Sequence, residues 1–266
     1  MPSVSNISIG ANFAGNYAHK ARHQMNASIM RLSSGNRTLM GGDAAGSSVG
    51  NNLMARAKSH YVAARNAEDG ISALLTAEAV ANEVAALAYR LRELGIQADN
   101  DALLSANDEA ALDKEAALIG DTLEDIELEA KFNEEVLMLT TGNKTFAVGS
   151  GIDGTNETTI TTFDDLTDAT EGIANSSGAD ATADLLLIDV ANTLGHIAAG
   201  ISSLKARQSI SYASSANLEA AAARIMDTDF AKETANLTKF SVLNQSAMAM
   251  VAQANQAQSA VLAVLQ

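Results

Sequence analysis

The stretch ANLTKFSVLNQSAMAMVAQANQAQSAVLAVLQ, residues 235–266, decides how the chain folds. It holds no proline and no glycine. Positions 237, 240, 244, 247, 251, 254, 258, 261 and 265 are Leu, Phe, Asn, Ala, Val, Ala, Gln, Val and Leu. The spacing alternates strictly between three and four, the seam of a coiled coil rather than the broader face of a generic core helix. The opposite face carries Asn, Gln, Ser and Ala, and no charge follows Lys239. Such a helix would run about 45 Å at 1.5 Å per residue. Lone amphipathic helices are marginal in water, and an apolar seam of this length requires a partner. The seam residues Leu237, Phe240, Ala247, Val251, Ala254, Val261 and Leu265 are therefore expected to pack on another part of the chain and on further copies of it.

The first forty residues offer the partner. Ala14, Ala18, Ala21, Met25, Ser28 and Leu32 make a narrow, small-residue face suited to close helix packing. Gly41-Gly42-Asp43-Ala44-Ala45-Gly46 then breaks helix propensity and predicts a joint. From about Ser47 to Asp99 the helical pattern returns, with Ala77, Val80, Val84, Leu87, Leu91, Leu94 and Ala98 apolar in sequence. A further helix is expected from about Glu109 to Phe132, on a seam of Leu112, Ala116, Ile119, Leu123, Ile126 and Ala130. Short breaks between long helices imply antiparallel neighbours.

Residues 140–180 change character. Thr145–Val148 and Thr158–Phe163 are β-prone runs among Gly, Thr, Asn and Asp, and predict one or two hairpins. A long helix follows from about Ala181 to Ile225, its seam interrupted by Gln208, Ser211 and Ser215. Asp227-Thr228-Asp229 predicts a second joint and an N-cap for the terminal helix. The expected fold is mainly α: an elongated antiparallel bundle, with a coiled coil of N- and C-terminal helices and a small β-hairpin insert. Residues 1–42 with 229–266 would form a terminal coiled-coil domain. Residues 43–228 would form a helical rod carrying the insert at about 140–180.

Composition limits function. The 266 residues carry a net charge of -15, with 4% aromatics, one proline, no tryptophan and no cysteine. A basic footprint for nucleic acid is missing, and no Lys/Arg run would hold an anionic membrane. Without cysteine there is no disulfide, thiol catalysis or Cys-ligated zinc. No apolar run long enough to span a bilayer is expected, and Met1–Asn6 lacks the pattern of a cleaved secretion signal. Taken alone, this says cytosolic.

Sharper motifs dissolve in context. Gly149-Ser150-Gly151-Ile152-Asp153-Gly154 spells G-x-G-x-x-G, but strand-like Thr155–Thr159 follows where a dinucleotide site needs a helix, so a hairpin loop is expected. His19 and His23 have helical spacing without the carboxylate of an H-E-x-x-H site, and with His60 and His196 read as surface or interface residues. Asp153–Glu157 lacks the alternating oxygen ligands of a calcium loop. The acidic 99–135 region has no nucleophile or histidine with it. Asn143-Lys144-Thr145 and Asn156-Glu157-Thr158 match glycosylation acceptors by composition. No catalytic residue, cofactor or metal is expected.

Several ordered motifs then resemble one family. Leu32-Ser33-Ser34-Gly35 followed by Gly42–Gly46, Arg65-Asn66-Ala67-Glu68-Asp69-Gly70-Ile71-Ser72 with Thr76-Ala77-Glu78, Arg90–Leu94, and Lys131-Phe132-Asn133 resemble the N-terminal signature of bacterial flagellins. Ala247–Gln256 through Val264-Leu265-Gln266 resembles the flagellin C-terminus. The resemblance implies a filament subunit that polymerises with itself for swimming motility. It implies export unfolded through the flagellar type III apparatus, which reconciles the missing signal with an extracellular location. It further implies an export chaperone at the C-terminal helix, filament cap and hook-junction proteins as partners, and O-glycosylation of the insert. Arg90, Leu94 and Glu115 match positions of a surface used in axial packing and by a host Toll-like receptor. Glu134 stands where the family commonly has Gly after Phe-Asn, and Gly41-Gly42 where other residues are usual. The short centre implies a core-only filament subunit. The rivals are a flagellin-like hook–filament junction protein and, in another class, a cytosolic coiled-coil adaptor.

Overall fold

The computed structural model describes residues 3–38, 42–100, 102–137, 143–147, 157–161, 173 and 175–265. In chain order the elements are α1 (Ser3–Ser34), α2 (Ala44–Ala98), α3 (Ala106–Glu129), β1 (Lys131–Phe132), β2 (Glu135–Val136), β3 (Asn143–Ala147), β4 (Glu157–Thr161), α4 (Ala179–Met226) and α5 (Phe230–Leu265). The chain is mainly α, as its proline-poor, alanine-rich composition requires. The chain divides into two compact units, one of residues 1–55 with 218–266 and one of residues 56–217. The division falls inside α2 and α4 rather than at the joints.

In the second unit, α2, α3 and α4 share one core. Leu74, Ala77, Ala81, Val84, Ala88 and Leu91 form the buried stripe of α2. Val80 and Leu87, expected on that stripe, pack at its edge, because α2 serves two neighbouring helices and needs a wider apolar face. Leu112, Ala116, Ile119 and Leu123 bury the expected face of α3. That helix starts three residues earlier than its apolar pattern suggests, at a capping box. Asp108 N–H donates to Ser105 Oγ at 3.4 Å, and the Ser105 N–H donates to Asp108 Oδ2 at 3.1 Å.

Along α4, Ala183, Leu186, Val190, Thr193, Ile197 and Leu204 are buried. Ser211 and Ser215 were expected to interrupt this seam, yet both are buried on it. Small hydroxyl residues permit close helix approach, so the stripe continues through them. Gly95 marks another close approach: a Cβ there would lie 2.3 Å from the Asp180 backbone nitrogen at the start of α4.

Among the described residues this unit also holds two antiparallel hairpins. β3 pairs with β4 from Asn143↔Thr161 to Ala147↔Glu157, on the two β-prone runs expected. The G-x-G-x-x-G run between them lies outside the described residues. The first hairpin, β1–β2, was not anticipated. It turns through Asn133 and Glu134, with φ of 50° and 67°, the positive-φ pair of a type I′ turn. Glycine, which the resemblance leads one to expect at the second position, adopts such a φ freely, and Glu134 bears the left-handed conformation without that freedom.

In the first unit, α1 (32 residues) and α5 (36 residues) pair antiparallel, and the expected α1 face is the one covered. Ala18, Ala21 and Ser28 are buried, with Ala14, Met25 and Leu32 half-buried. α2 and α4 each carry an 18-residue window apolar enough by length and composition to cross a membrane. That corrects the expectation of no such run. Alanine raises the hydropathy of both helices, and about a third of each window is buried within the fold.

Candidate assembly surface

α1 ends at Gly35, whose φ of +73° is left-handed and whose N–H donates to Arg31 O at 2.9 Å. The chain leaving α1 runs beside the chain entering α5. Arg37 N–H donates to Met226 O at 2.7 Å, Thr228 N–H donates to Gly35 O at 2.8 Å, and Asn36 bridges Asp227. The two expected joints are thus one hydrogen-bonded crossing. Its first half begins at Gly35, earlier than the expected Gly41, because the positive-φ glycine ends the helix. Arg37 braces the crossing: its guanidinium donates to Ile225 O at 2.8 Å and to Asp43 Oδ2 at 3.0 Å. Asp43 in turn caps α2 by accepting the Gly46 N–H at 2.8 Å, and these two partners hold its carboxyl below the usual value. Asp229 caps α5 as expected, accepting the N–H groups of Ala231 and Lys232 at 3.0 and 3.1 Å.

A fork ties the two helices just beyond the crossing. Arg31 donates from Nε and Nη2 to Glu233 Oε1 at 3.0 and 2.8 Å. The Glu233 side chain is only 11% exposed. Burial pushes its carboxyl up, but the nearby Ser28 hydroxyl and the hydrogen bonds and charge of Arg31 outweigh that, and the group titrates below its ordinary value. Arg31 and Glu233 are 202 positions apart, a separation that no local pattern reveals.

From this fork the seam of α5 runs along α1. Leu237, Phe240, Asn244, Ala247, Val251, Ala254 and Gln258 are all half-buried, while the positions between them are mostly exposed. Not one of these seven is fully buried. The side chains of Val261 and Leu265 lie outside those described. One partner helix covers only part of a coiled-coil seam, and the remainder forms a groove. It has a volume of about 400 Å³, with Ala21, Phe240 and Ala247 in it and Tyr17, Leu243 and Met250 along its walls. Lys20 and Lys239 stand at the same groove. Beyond it, Ile9, Phe13 and Tyr17 repeat every four residues on α1 at 50–65% exposure. Val242, Leu243, Met248 and Met250 are similarly open on α5. The outer apolar residues Tyr17, Leu243 and Met250 lie off the seam spacing, so the pattern that located the seam passed over them.

The second candidate surface is assembled in part. Arg90 Nε donates to Glu115 Oε1 at 2.8 Å and Nη1 to Glu93 Oε2 at 3.1 Å, joining α2 to α3. These pairs push the Arg90 guanidinium further up. Leu94 is fully buried, facing the core with Leu91. This corrects its assignment to a contact surface: it lies one helical turn from Arg90, but on the inner side of α2. Among the described residues no cluster of three or more metal-binding side chains occurs, and His19 and His23 are both exposed on α1.

Comparison with known proteins agrees at both ends of the chain. Residues 6–143 match the family model of the bacterial flagellin N-terminal helical region, and residues 187–265 that of the C-terminal helical region. The chain is 33% identical over 256 residues to a flagellin of Halalkalibacterium halodurans, covering 91% of this chain and 92% of that one. It is 30% identical to flagellin FlaB2 of Treponema pallidum, covering 98% and 99%. Against flagellin A of Vibrio anguillarum the identity is 36%, over 56% of this chain and 40% of that longer one.

Proposed function

The chain belongs to the bacterial flagellin family, and from that premise we propose that the α1–α5 pair is its assembly element. As a flagellin it is a structural protein, a subunit of the extracellular flagellar filament that polymerises with itself in the service of motility. The observation that carries the assembly reading is the half-covered seam. Seven consecutive seam positions of α5 are partly exposed beside a groove of about 400 Å³, on a helix without charge after Lys239. Each added subunit would cover what α1 leaves open, by apolar and amide contact. Many weak contacts of this kind suit a stiff polymer that must also repack.

Residues 1–42 and 229–266 would then form the inner layer of the filament, and residues 43–228 an outer rod. The Arg90–Glu115 pair would contribute to contacts along the rod, and the same surface would face a Toll-like receptor in a host. The apolar length of α5 also suits an export chaperone before assembly. Export would proceed unfolded through the type III apparatus, with cap and hook-junction proteins as the neighbours at the two ends of the filament.

Seeded elongation followed by electron microscopy tests the central point. Full-length protein is expected to lengthen filament fragments, and protein truncated after Lys239 is expected not to. Growth by the truncated form would overturn the role of α5. Full-length protein that stays a small oligomer, or only caps hooks, would favour the adaptor or the junction protein.

A further inference from the structure

Methionine is the softest oxidisable side chain in this protein, which has nine of them and neither cysteine nor tryptophan. The fold grades their access to solvent. Met226 is 9% exposed and packed so tightly at the crossing that a Cβ on Gly50 would lie 2.4 Å from its Cγ and Sδ. Met25 is half-buried against α5. Met30 and Met54 are 44% and 41% exposed. Met248 and Met250 are the most open of the described set, at 49% and 59%. They lie two residues apart on the uncharged part of α5, and Met250 forms a wall of the groove with Tyr17 and Leu243.

We propose that Met248 and Met250 are a peroxide-reactive pair whose conversion to sulfoxide stops subunit addition. This inference rests on α5 being the assembly element. In the reaction a thioether lone pair attacks one peroxide oxygen. The S–O bond forms as the O–O bond breaks, and the departing hydroxide takes up a proton and leaves as water. Sulfur loses two electrons and peroxide gains two. The product is a strong acceptor where a flexible apolar side chain stood. Along α5 beyond Lys239 the side chains are apolar, hydroxyl or amide and carry no charge. Burying this polar sulfoxide under a neighbouring subunit, where an apolar thioether packed before, is unfavourable enough to raise the critical concentration about tenfold or more per oxidised site. Sulfoxide reductases reverse the change, so the block is a reversible state of the subunit.

The test treats the full-length monomer with hydrogen peroxide at neutral pH, locates the added oxygen by peptide mass, and measures seeded elongation before and after. Oxygen is expected first at Met248 and Met250, with at least about a tenfold rise in critical concentration. The elongation rate of a full-length Met248→Leu/Met250→Leu variant, whatever its untreated value, should not fall on peroxide treatment. Reductase treatment of the oxidised, unmutated chain should restore growth, an arm that needs no substitution to be tolerated. Oxygen appearing first at other methionines, or equal loss of growth in the leucine variant, would overturn the proposal. Untreated full-length protein that fails to elongate would instead defeat the assembly role of α5. Untreated growth that peroxide leaves unchanged would defeat the oxidation site alone.

Discussion

Glu134 and Thr193 each carry a cost that a single substitution removes. Glu134 holds a φ of 67° in a two-residue turn where a Cβ is unfavourable. Replacing it by glycine is expected to stabilise the second unit by about 1 kcal/mol, the penalty of a left-handed residue. A thermal melt of the variant that shows no gain would mean the turn is not held in that form. Thr193 is fully buried in α4, and its Oγ1 finds no hydrogen-bond partner. Valine keeps the shape without the orphan hydroxyl, so Thr193→Val should raise stability by about 1 kcal/mol in denaturant titration. Glu134 stands out in the sequence where the resemblance expects Gly, but Thr193 does not: a β-branched residue on a helical seam reads as core, and whether its hydroxyl is paired is decided by neighbours from other helices.

At the scale of elements, α5 and the crossing that launches it are held by different forces and fail under different conditions. Glu233 titrates below its ordinary value in the folded protein, so its contribution is present above the unfolded-state value of about 4.3. That contribution is lost as pH falls through the lower folded value. The α1–α5 pair is expected to loosen in that acidic window, seen as earlier exchange of α5 amides. Glu233→Gln should flatten this part of the pH profile while weakening the pair at neutral pH. Farther along, Val251 is half-buried on the seam. Val251→Asp would place a charge against α1 and should weaken the pairing by about 2 kcal/mol. Its readout is a loss of seeded elongation with the melting of the α2–α3–α4 core unchanged. Elongation at the normal rate would remove Val251 from the assembly surface.

For the whole molecule, the net charge of -15 sets subunits against one another in dilute buffer. Raising ionic strength from about 0.01 to 0.15 M shortens the screening length from about 30 to 8 Å. Seeded elongation should therefore speed up with salt, measured as filament length against time. A rate indifferent to salt would mean that the uncharged α5 surface alone governs approach. The same charge opposes the approach of free subunits to one another despite the exposed apolar rows on α1 and α5, since repulsion acts at long range and apolar contact only at short range.

Sequence by itself determined the helices, the seam of α5 and its α1 partner face, because a three–four alternation of side chains is a local property of the chain and marks one side of a helix whatever packs there. It also carried the cap of α5 at Asp229 and the two β-prone runs that pair as β3 and β4, which depend on neighbouring residues. Tertiary structure alone decided that the two joints form one hydrogen-bonded crossing and that Arg31 meets Glu233. It decided, too, that Leu94 faces inward beside an outward Arg90, and that Ser211 and Ser215 continue a core instead of breaking it. Each of these depends on which helix lies opposite, and that is fixed by contacts between residues far apart in the chain, where periodicity carries no information.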